Sequence, residues 1–371
     1  MITISLCMIV KNEEDVLARC LDSVADIVDE INIVDTGSTD RTREIAARYT
    51  DRIFDFRWID DFSAARNFSF SKATMAYTMW LDADDLLTFD NRENLKRLKE
   101  TLDPMVDMVM MRYHTAFDEL GNPVYSYYRE RLVKTALHLR WQGAVHEVIS
   151  PYGHVQYEEI AVTHSKLHPS DPDRNLRIFE GMLSQGKTLE PREQFYYARE
   201  LYYHARYLDA LDMYSRFLDE GNGWLENEIE ACLHMSWCHY ALGEDRQALH
   251  DLLRSLMYDI PRAEICCAVG GHFFKHQAYR TAIFWYETAL HCQRNDRAGG
   301  FVQPDCYSFI PCLQLCVCYD RMGDRKRAEE YNEKAALFKP DNPAVLYNRA
   351  YFQQIPLQSH EDYSKDNKDR I

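Results

Sequence analysis

Four stretches in the second half of the chain line up on a small residue: YLDALDMYSRFL, DRQALHDLLRSL, YRTAIFWYETAL and RKRAEEYNEKAAL. Their first alanines are Ala210, Ala248, Ala282 and Ala328, spaced 38, 34 and 46 residues apart. The middle interval equals the tetratricopeptide period, and the last implies an insertion, RNDRAGGFVQPD. Each stretch follows another helical one, such as EQFYYARELYYHA or EIEACLHMSWCHYAL. An alanine with an apolar residue four positions on lets paired helices approach closely, and a single pair cannot bury its apolar face alone. Stacked helix pairs are therefore expected over residues 173–355. FKPDNPAVLYNRAYF closes the array, with Pro340 and Pro343 ending one helix and starting the next. Residues 356–371 read as a polar tail.

The first 172 residues obey a different rhythm. Apolar runs at 3–10, 31–35, 52–58 and 77–82 alternate with helical patterns such as EEDVLARCLDSV, DRTREIAARY and NRENLKRLKETL. MVDMVMMRYH and YYRERLVK supply later strands. Alternation of this kind predicts an α/β domain over 1–172. The whole is an α/β domain followed by an all-α repeat domain, as 371 residues exceed what one core usually holds.

Charge excludes several partners. Lys plus Arg number 43 against 59 Asp plus Glu, a net charge of −16, and no basic stripe interrupts either half. Nucleic acid and anionic lipid surfaces are disfavoured. The opening MITISLCMIVKNEEDV lacks a basic region and a continuous apolar run. No segment reaches the ~20 apolar residues of a membrane span. The expectation is a cytoplasmic protein. Nine of the eleven cysteines follow residue 230. Cys312 and Cys316 sit at helical spacing among apolar neighbours, and they read with Cys306 and Cys318 as small buried hydrophobes.

Four pieces of the first half carry chemistry. WLDADD ends a buried strand in clustered carboxylates, Asp82, Asp84 and Asp85. Their mutual repulsion is relieved if a hard divalent cation, Mg²⁺ or Mn²⁺, sits among them; an acidic surface turn reads the same in isolation. IVDTGSTD ends another strand in Asp35, with Gly37 and Ser38 leaving room for a ligand. DDFSAARNFSF places Arg66 near a helix start, where a guanidinium suits a nucleotide or a local salt bridge. LRWQGAVHEVI offers His146 and Glu147, either of which can serve as a general base or simply brace a loop. Downstream, VTHSKLH adds His164 and His168 as possible metal ligands.

Taken together and in order, SLCMIVKNEE, IVDTGSTDRT, FSAARN, WLDADD, RLVK, WQGAVHE and His164 resemble glycosyltransferase family 2 over residues 1–185. The subgroup with appended tetratricopeptide-like helices is similar to bacterial enzymes that glycosylate peptides or cell-surface precursors. The resemblance implies a GT-A fold and a metal-dependent, inverting transfer from a nucleotide-diphosphate sugar, a UDP-sugar by preference. It implies that Asp35, Thr36 and Arg66 hold the nucleotide. Asp82 and Asp84 form the D-x-D pair, with Asp84 the more direct ligand of the Mg²⁺ or Mn²⁺ ion, and His164 completes the metal or diphosphate site. Arg131 in RLVK neutralises the diphosphate. Glu147 is the base, with His146 second. Many members carry two acidic residues at the second strand end; here the pair is Asp35-Thr36, which leaves the nucleotide base open.

The helical array is expected to be non-catalytic, binding a peptide, protein or saccharide acceptor or mediating homo-oligomerisation. Deleting residues 190–371 is then expected to remove transfer and spare donor hydrolysis. Two competing readings are a lipid-linked or lipopolysaccharide-type acceptor, and a non-catalytic scaffold carrying a degenerate transferase domain.

Overall fold

The computed structural model describes residues 1–118, 121, 123–168 and 171–354; the expected tail at 356–371 lies outside the described residues. Strand β1 (Ile4–Val10) is flanked by two parallel neighbours, β2 (Glu30–Asp35) and β4 (Tyr77–Trp80), and β2 pairs in parallel with β3 (Ile53–Asp55). Flanked on both edges and covered on both faces, β1 buries nearly every side chain, hence a run that is apolar apart from Ser5. Strands β6 (Met108–Phe117), β7 (Pro123–Lys134), β8 (Val155–His164) and the short β5 (Asp85–Leu86) extend the sheet in the order β3-β2-β1-β4-β7-β6-β8-β5. Strand β7 runs antiparallel to β4 and β6, so the sheet is mixed.

Strand β6 shows how the two faces are filled. Val109 and Met111 join a core with Leu6 and Met8 of β1, Leu17 and Leu21 of helix α1 (Leu17–Asp22) and Leu95 of helix α4 (Phe89–Thr101). The alternate residues, Met108 and Met110, pack with Trp80, Trp141 and Ile149 on the other face. Helix α2 (Thr42–Ala46) adds Ile45 and Ala46 to the first core, and Phe70 of helix α3 (Phe62–Phe70) packs on the second. The chain leaves β1 toward β2 on one side and arrives at β4 on the other. This is a topological switch point, and the crevice beyond the carboxyl ends of β1, β2 and β4 is where such sheets bind ligands.

From Arg174 the chain is helical. Helices α5 (Arg174–Ser184), α6 (Pro191–Tyr203), α7 (Tyr207–Glu220) and most of α8 (Leu225–Ala241) follow, then α9 (Asp245–Arg254), α10 (Ala263–Lys275), α11 (Tyr279–His291), α12 (Phe309–Arg321), α13 (Arg325–Phe338) and α14 (Pro343–Gln354). The four repeat alanines, Ala210, Ala248, Ala282 and Ala328, are all fully buried. In α10, a Cβ added to Gly270 would lie 2.8 Å from the Tyr286 ring of α11, so these two helices meet at glycine contact.

Two compact units emerge: Met1–Cys238 with Asp296–Val302, and His239–Asn295 with Gln303 onward. Sheet gives way to helix between His164 and Arg174. Compactness divides the chain later: α5, α6, α7 and most of α8 fall in the same compact unit as the sheet. The insertion read from the long last interval also belongs partly to the first unit. There Arg112 donates to Asp296 at 2.8 Å, Tyr157 donates to the Arg297 carbonyl at 3.4 Å, and the Phe301 ring faces Phe195. None of the eleven cysteines is joined in a disulfide, and Cys306, Cys312, Cys316 and Cys318 are buried in apolar clusters, as expected. Among the described residues no helix is long and apolar enough to cross a membrane.

Candidate active site

The turn after β4 separates its three aspartates into different environments. Asp85 is fully buried and carries the fold of the turn: it accepts hydrogen bonds from the Asp82 backbone N–H at 3.0 Å, Tyr113 Oη at 2.9 Å and Arg131 Nη1 at 3.1 Å. Asp82 accepts from Arg66 Nη2 at 2.7 Å. Burial opposes its ionisation, but the Arg66 guanidinium outweighs it and holds the carboxyl below its usual range. Asp84 keeps a 21% exposed side chain and faces His164 Nδ1 at 3.3 Å. The pairing of β5 with β8 sets Asp85 opposite His164, so one imidazole nitrogen lies 3.3 Å from both Asp84 and Asp85. Hydrogen bonds to Asp84 and then Asp85 push the His164 pKa up to about 10.

Asp84, Asp85 and His164 each offer a ligand atom within 4.8 Å of the others, the one such group among the described residues. Two carboxylates and an imidazole could hold a divalent cation, and Asp84 and His164 are the partly exposed members. The expected trio of Asp82, Asp84 and His164 is thus rearranged. Asp85 lies with Asp84 and His164, while Asp82 is bound to Arg66.

Arg66 is the hub of the other half of the site. Asp61 caps α3 by accepting from the Ala64 N–H at 2.9 Å, which sets the start of the helix. One turn on, Arg66 is 7% exposed and sandwiched against Trp80 and Trp141, with its guanidinium 4.6 and 5.0 Å from the ring centres. It donates through Nη2 to Asp82 and through Nε to Glu147 Oε1 at 2.5 Å. The neighbouring Asn67 brackets Trp141, donating to its carbonyl at 3.0 Å and accepting from its N–H at 2.9 Å. The second Glu147 oxygen, Oε2, makes no protein hydrogen bond among the described residues.

The loop that carries Glu147 is closed by a bridge between Gln142 and Val148. Gly143 (φ 92°) and His146 (φ 53°) take left-handed backbone conformations inside it. His146 points away from Arg66. Its Nε2 lies 3.1 Å from Glu200 Oε1 and its Nδ1 lies 3.4 Å from Arg199 Nη2. An arginine cannot accept, so Nδ1 is the acceptor and the proton sits on Nε2, donated to Glu200. Burial pulls the His146 pKa down to about 4. With both ring nitrogens engaged, His146 is not available as a base, contrary to its second place in the sequence reading. Its depressed pKa carries a pH consequence. Above pH ~6.5 both folded and unfolded chains hold a neutral imidazole; below it only the unfolded chain takes up the proton. Stability is expected to fall as pH drops from ~6.5 toward ~4. Urea unfolding across that window checks this, and His146→Asn should show the shallower dependence.

The remaining expected residues are placed as follows. Asp35 is 4% exposed at the end of β2, accepting from the Ser38 N–H at 3.1 Å and from Arg43 Nη1 at 3.1 Å. Thr36 donates to the Val10 carbonyl at 3.1 Å, and Gly37 follows at φ 107°. Both residues line the carboxyl end of the sheet beside β1. His168 lies on the surface against Asp15 at 3.0 Å, apart from the His164 group. Arg131 requires a correction: it is fully buried, bonded to Asp85 and the Trp80 carbonyl, with its guanidinium 3.8 Å from the Trp80 ring centre. It cannot meet a diphosphate in the crevice and acts as the counter-charge of Asp85. Arg131→Met leaves that carboxylate buried and unpaired, and is expected to destabilise the fold by about 3–5 kcal/mol in denaturant titration.

Glu13, quoted within KNEE without a role, was missed. Burial, then Asp84 and Asp82, push its pKa up to about 7, so the loop after β1 brings a further carboxylate to the acidic turn. Only its place after the first strand could have signalled it.

A mixed sheet with an acidic turn at the carboxyl ends of its parallel strands defines the class: an α/β nucleotide-diphospho-sugar transferase fold. Residues 5–153 match the family model Glycosyl transferase family 2. A TPR repeat-containing protein of Synechococcus elongatus is 37% identical over 149 residues, covering 40% of this chain and 36% of that one. The SPbeta prophage-derived glycosyltransferase SunS of Bacillus subtilis is 29% identical over 223 residues, covering 57% and 52%. The chain thus spans between about a third and about half the length of these two relatives. Among solved structures, a tetratricopeptide repeat protein from Parabacteroides merdae aligns with 50% of this chain and 66% of its own at a TM-score of 0.39 and 16% identity.

Proposed function

We propose that this chain is a metal-dependent inverting glycosyltransferase that moves a sugar from a nucleoside-diphosphate donor to a peptide or protein acceptor. The observation that carries the reading is the Asp82–Arg66–Glu147 bridge beside the Asp84–His164 pair. It joins the acidic turn to a carboxylate with one free oxygen, within the stretch that matches the family 2 model.

Asp35 and Thr36, at the end of β2, suit the nucleoside end of the donor. Arg66 is already neutralised by two carboxylates, so its role is to hold Glu147 and Asp82 in register rather than to meet the phosphates. Asp84 and His164 would hold a divalent ion, with Asp85 behind them; when bound, such an ion supplies charge stabilisation for a departing diphosphate. Glu147 Oε2 is free to accept the acceptor's proton as the acceptor attacks the anomeric carbon. With Oε1 fixed by Arg66, the free oxygen is oriented before the acceptor arrives. An attack opposite the leaving group gives the inverted anomer.

The test is a screen of nucleotide sugars with Mn²⁺ and candidate peptides, read by calorimetry for donor binding, by mass spectrometry for hydrolysis and transfer, and by NMR for the anomeric configuration of the product. A sugar adduct on the peptide with the inverted anomeric configuration supports the reading. Absence of metal-dependent donor binding across the screen would refute it and favour a scaffold.

A further inference from the structure

The helices were expected to stand apart from the chemistry. Four residues on one face of α6 instead meet the loop that carries Glu147, and all of them meet it at His146. Arg192 donates through Nε and Nη2 to the His146 carbonyl, both at 3.1 Å. The imidazole lies flat on Tyr196, with 4.2 Å between ring centres and 16° between planes. Glu200 and Arg199 hold its two ring nitrogens. Positions 192, 196, 199 and 200 follow the helical period, so a single face supplies the whole seat. The seat is itself braced: Glu200 is 6% exposed and also accepts from Asn175 at 3.0 Å, and both arginines stack on Tyr196.

A seat of this kind has a cost to offset. His146 is a non-glycine residue at φ 53°, a conformation that persists only where the surroundings over-determine it. That conformation sets the direction in which the next residue, Glu147, leaves the loop. No α6 side chain touches Glu147 among the described contacts, so any influence on the carboxylate passes through His146.

We infer that α6 is a positioning element of the transferase site: Arg192, Tyr196, Arg199 and Glu200 lock His146 in its left-handed conformation and so aim Glu147 at the acceptor. This rests on the reading of Glu147 as the base. It means that the first helices belong to the catalytic apparatus, and that a cut at residue 190 removes the seat along with the array.

The experiment uses the full chain and four single variants, Arg192→Ala, Arg192→Lys, Glu200→Met and Glu147→Gln, with Arg192→Ala and Glu200→Met also combined with Glu147→Gln. Turnover and the KM for the nucleotide sugar are measured for each. Arg192→Ala and Glu200→Met are each expected to lower kcat at least about tenfold, with the donor KM nearly unchanged. Arg192→Lys, which restores one of the two hydrogen bonds, should recover part of the loss. In the Glu147→Gln background neither change should lower kcat further, because both act through the same carboxylate. Near-wild-type kcat in both seat variants, beside an inactive Glu147→Gln, overturns the α6 role alone. Undiminished losses in the Glu147→Gln background overturn it too. Wild-type turnover in Glu147→Gln instead overturns the base assignment. Glu200→Met keeps the length of the side chain while removing the oxygen that accepts from His146 and Asn175, so it decides the matter even if Arg192→Ala fails to fold.

Discussion

Changing Glu147 to glutamine is expected to lower kcat for sugar transfer by about 10²–10⁴-fold, the usual contribution of a positioned general base. The substitution is chosen for what it preserves. A glutamine carbonyl oxygen can still accept from Arg66 Nε, where Glu147 Oε1 now accepts at 2.5 Å, so the bridge to Asp82 can persist. What is lost is the capacity of the second oxygen to take a proton. Donor binding, proposed at the ends of β1, β2 and β4, should stay near its wild-type value, and isothermal titration with the nucleotide sugar checks that separately from turnover. Transfer at the wild-type rate would move the base elsewhere, and His146 is not the alternative, since both of its nitrogens are already engaged.

The second large effect is expected at Asp84. Asp84→Asn keeps the size of the side chain but removes the open carboxylate of the Asp84–Asp85–His164 group. Turnover is expected to fall by about 10²–10³-fold, in line with the loss of one electrostatic element at a leaving group. Chelation with EDTA should abolish transfer in the wild type, and added Mn²⁺ should restore it. The neighbouring Asp85→Asn is the discriminating control. Asp85 is fully buried against Arg131, so its change should appear first as lost stability in a urea titration. Equal and small effects of both substitutions on turnover would remove the acidic turn from the mechanism.

The adjacent aspartates explain why the sequence could be read only so far. Asp82, Asp84 and Asp85 are visible as a cluster at a strand end, and the rule that ligands gather at carboxyl ends of strands points to them. Nothing in WLDADD distinguishes the one that is buried with Arg131 from the two that stay partly exposed, because that choice is made by β5 pairing with β8, some 80 residues away. Arg66 was legible as a special residue for the same reason: it sits at a helix start near small residues. Its partners were not, since both come from distant segments. Arg131 was misread because RLVK reads alike whether its arginine faces a phosphate or a buried carboxylate. The seat under His146 was invisible for a further reason: Arg192, Tyr196, Arg199 and Glu200 fit an ordinary amphipathic helix pattern, and their aromatic and charged neighbours read equally as repeat packing.

The segment 296–302 has a practical corollary. It leaves the helical array, joins the sheet-bearing unit and returns, so the chain passes from one unit to the other three times. No single stop codon or start site can therefore yield either unit whole. A protein ended after residue 238 forfeits Asp296 and Phe301, and stranded Arg112 and Phe195 are what remains of their contacts. Dissection of the two halves calls for grafting that short stretch back by a linker, or for nicking an intact molecule after it has folded.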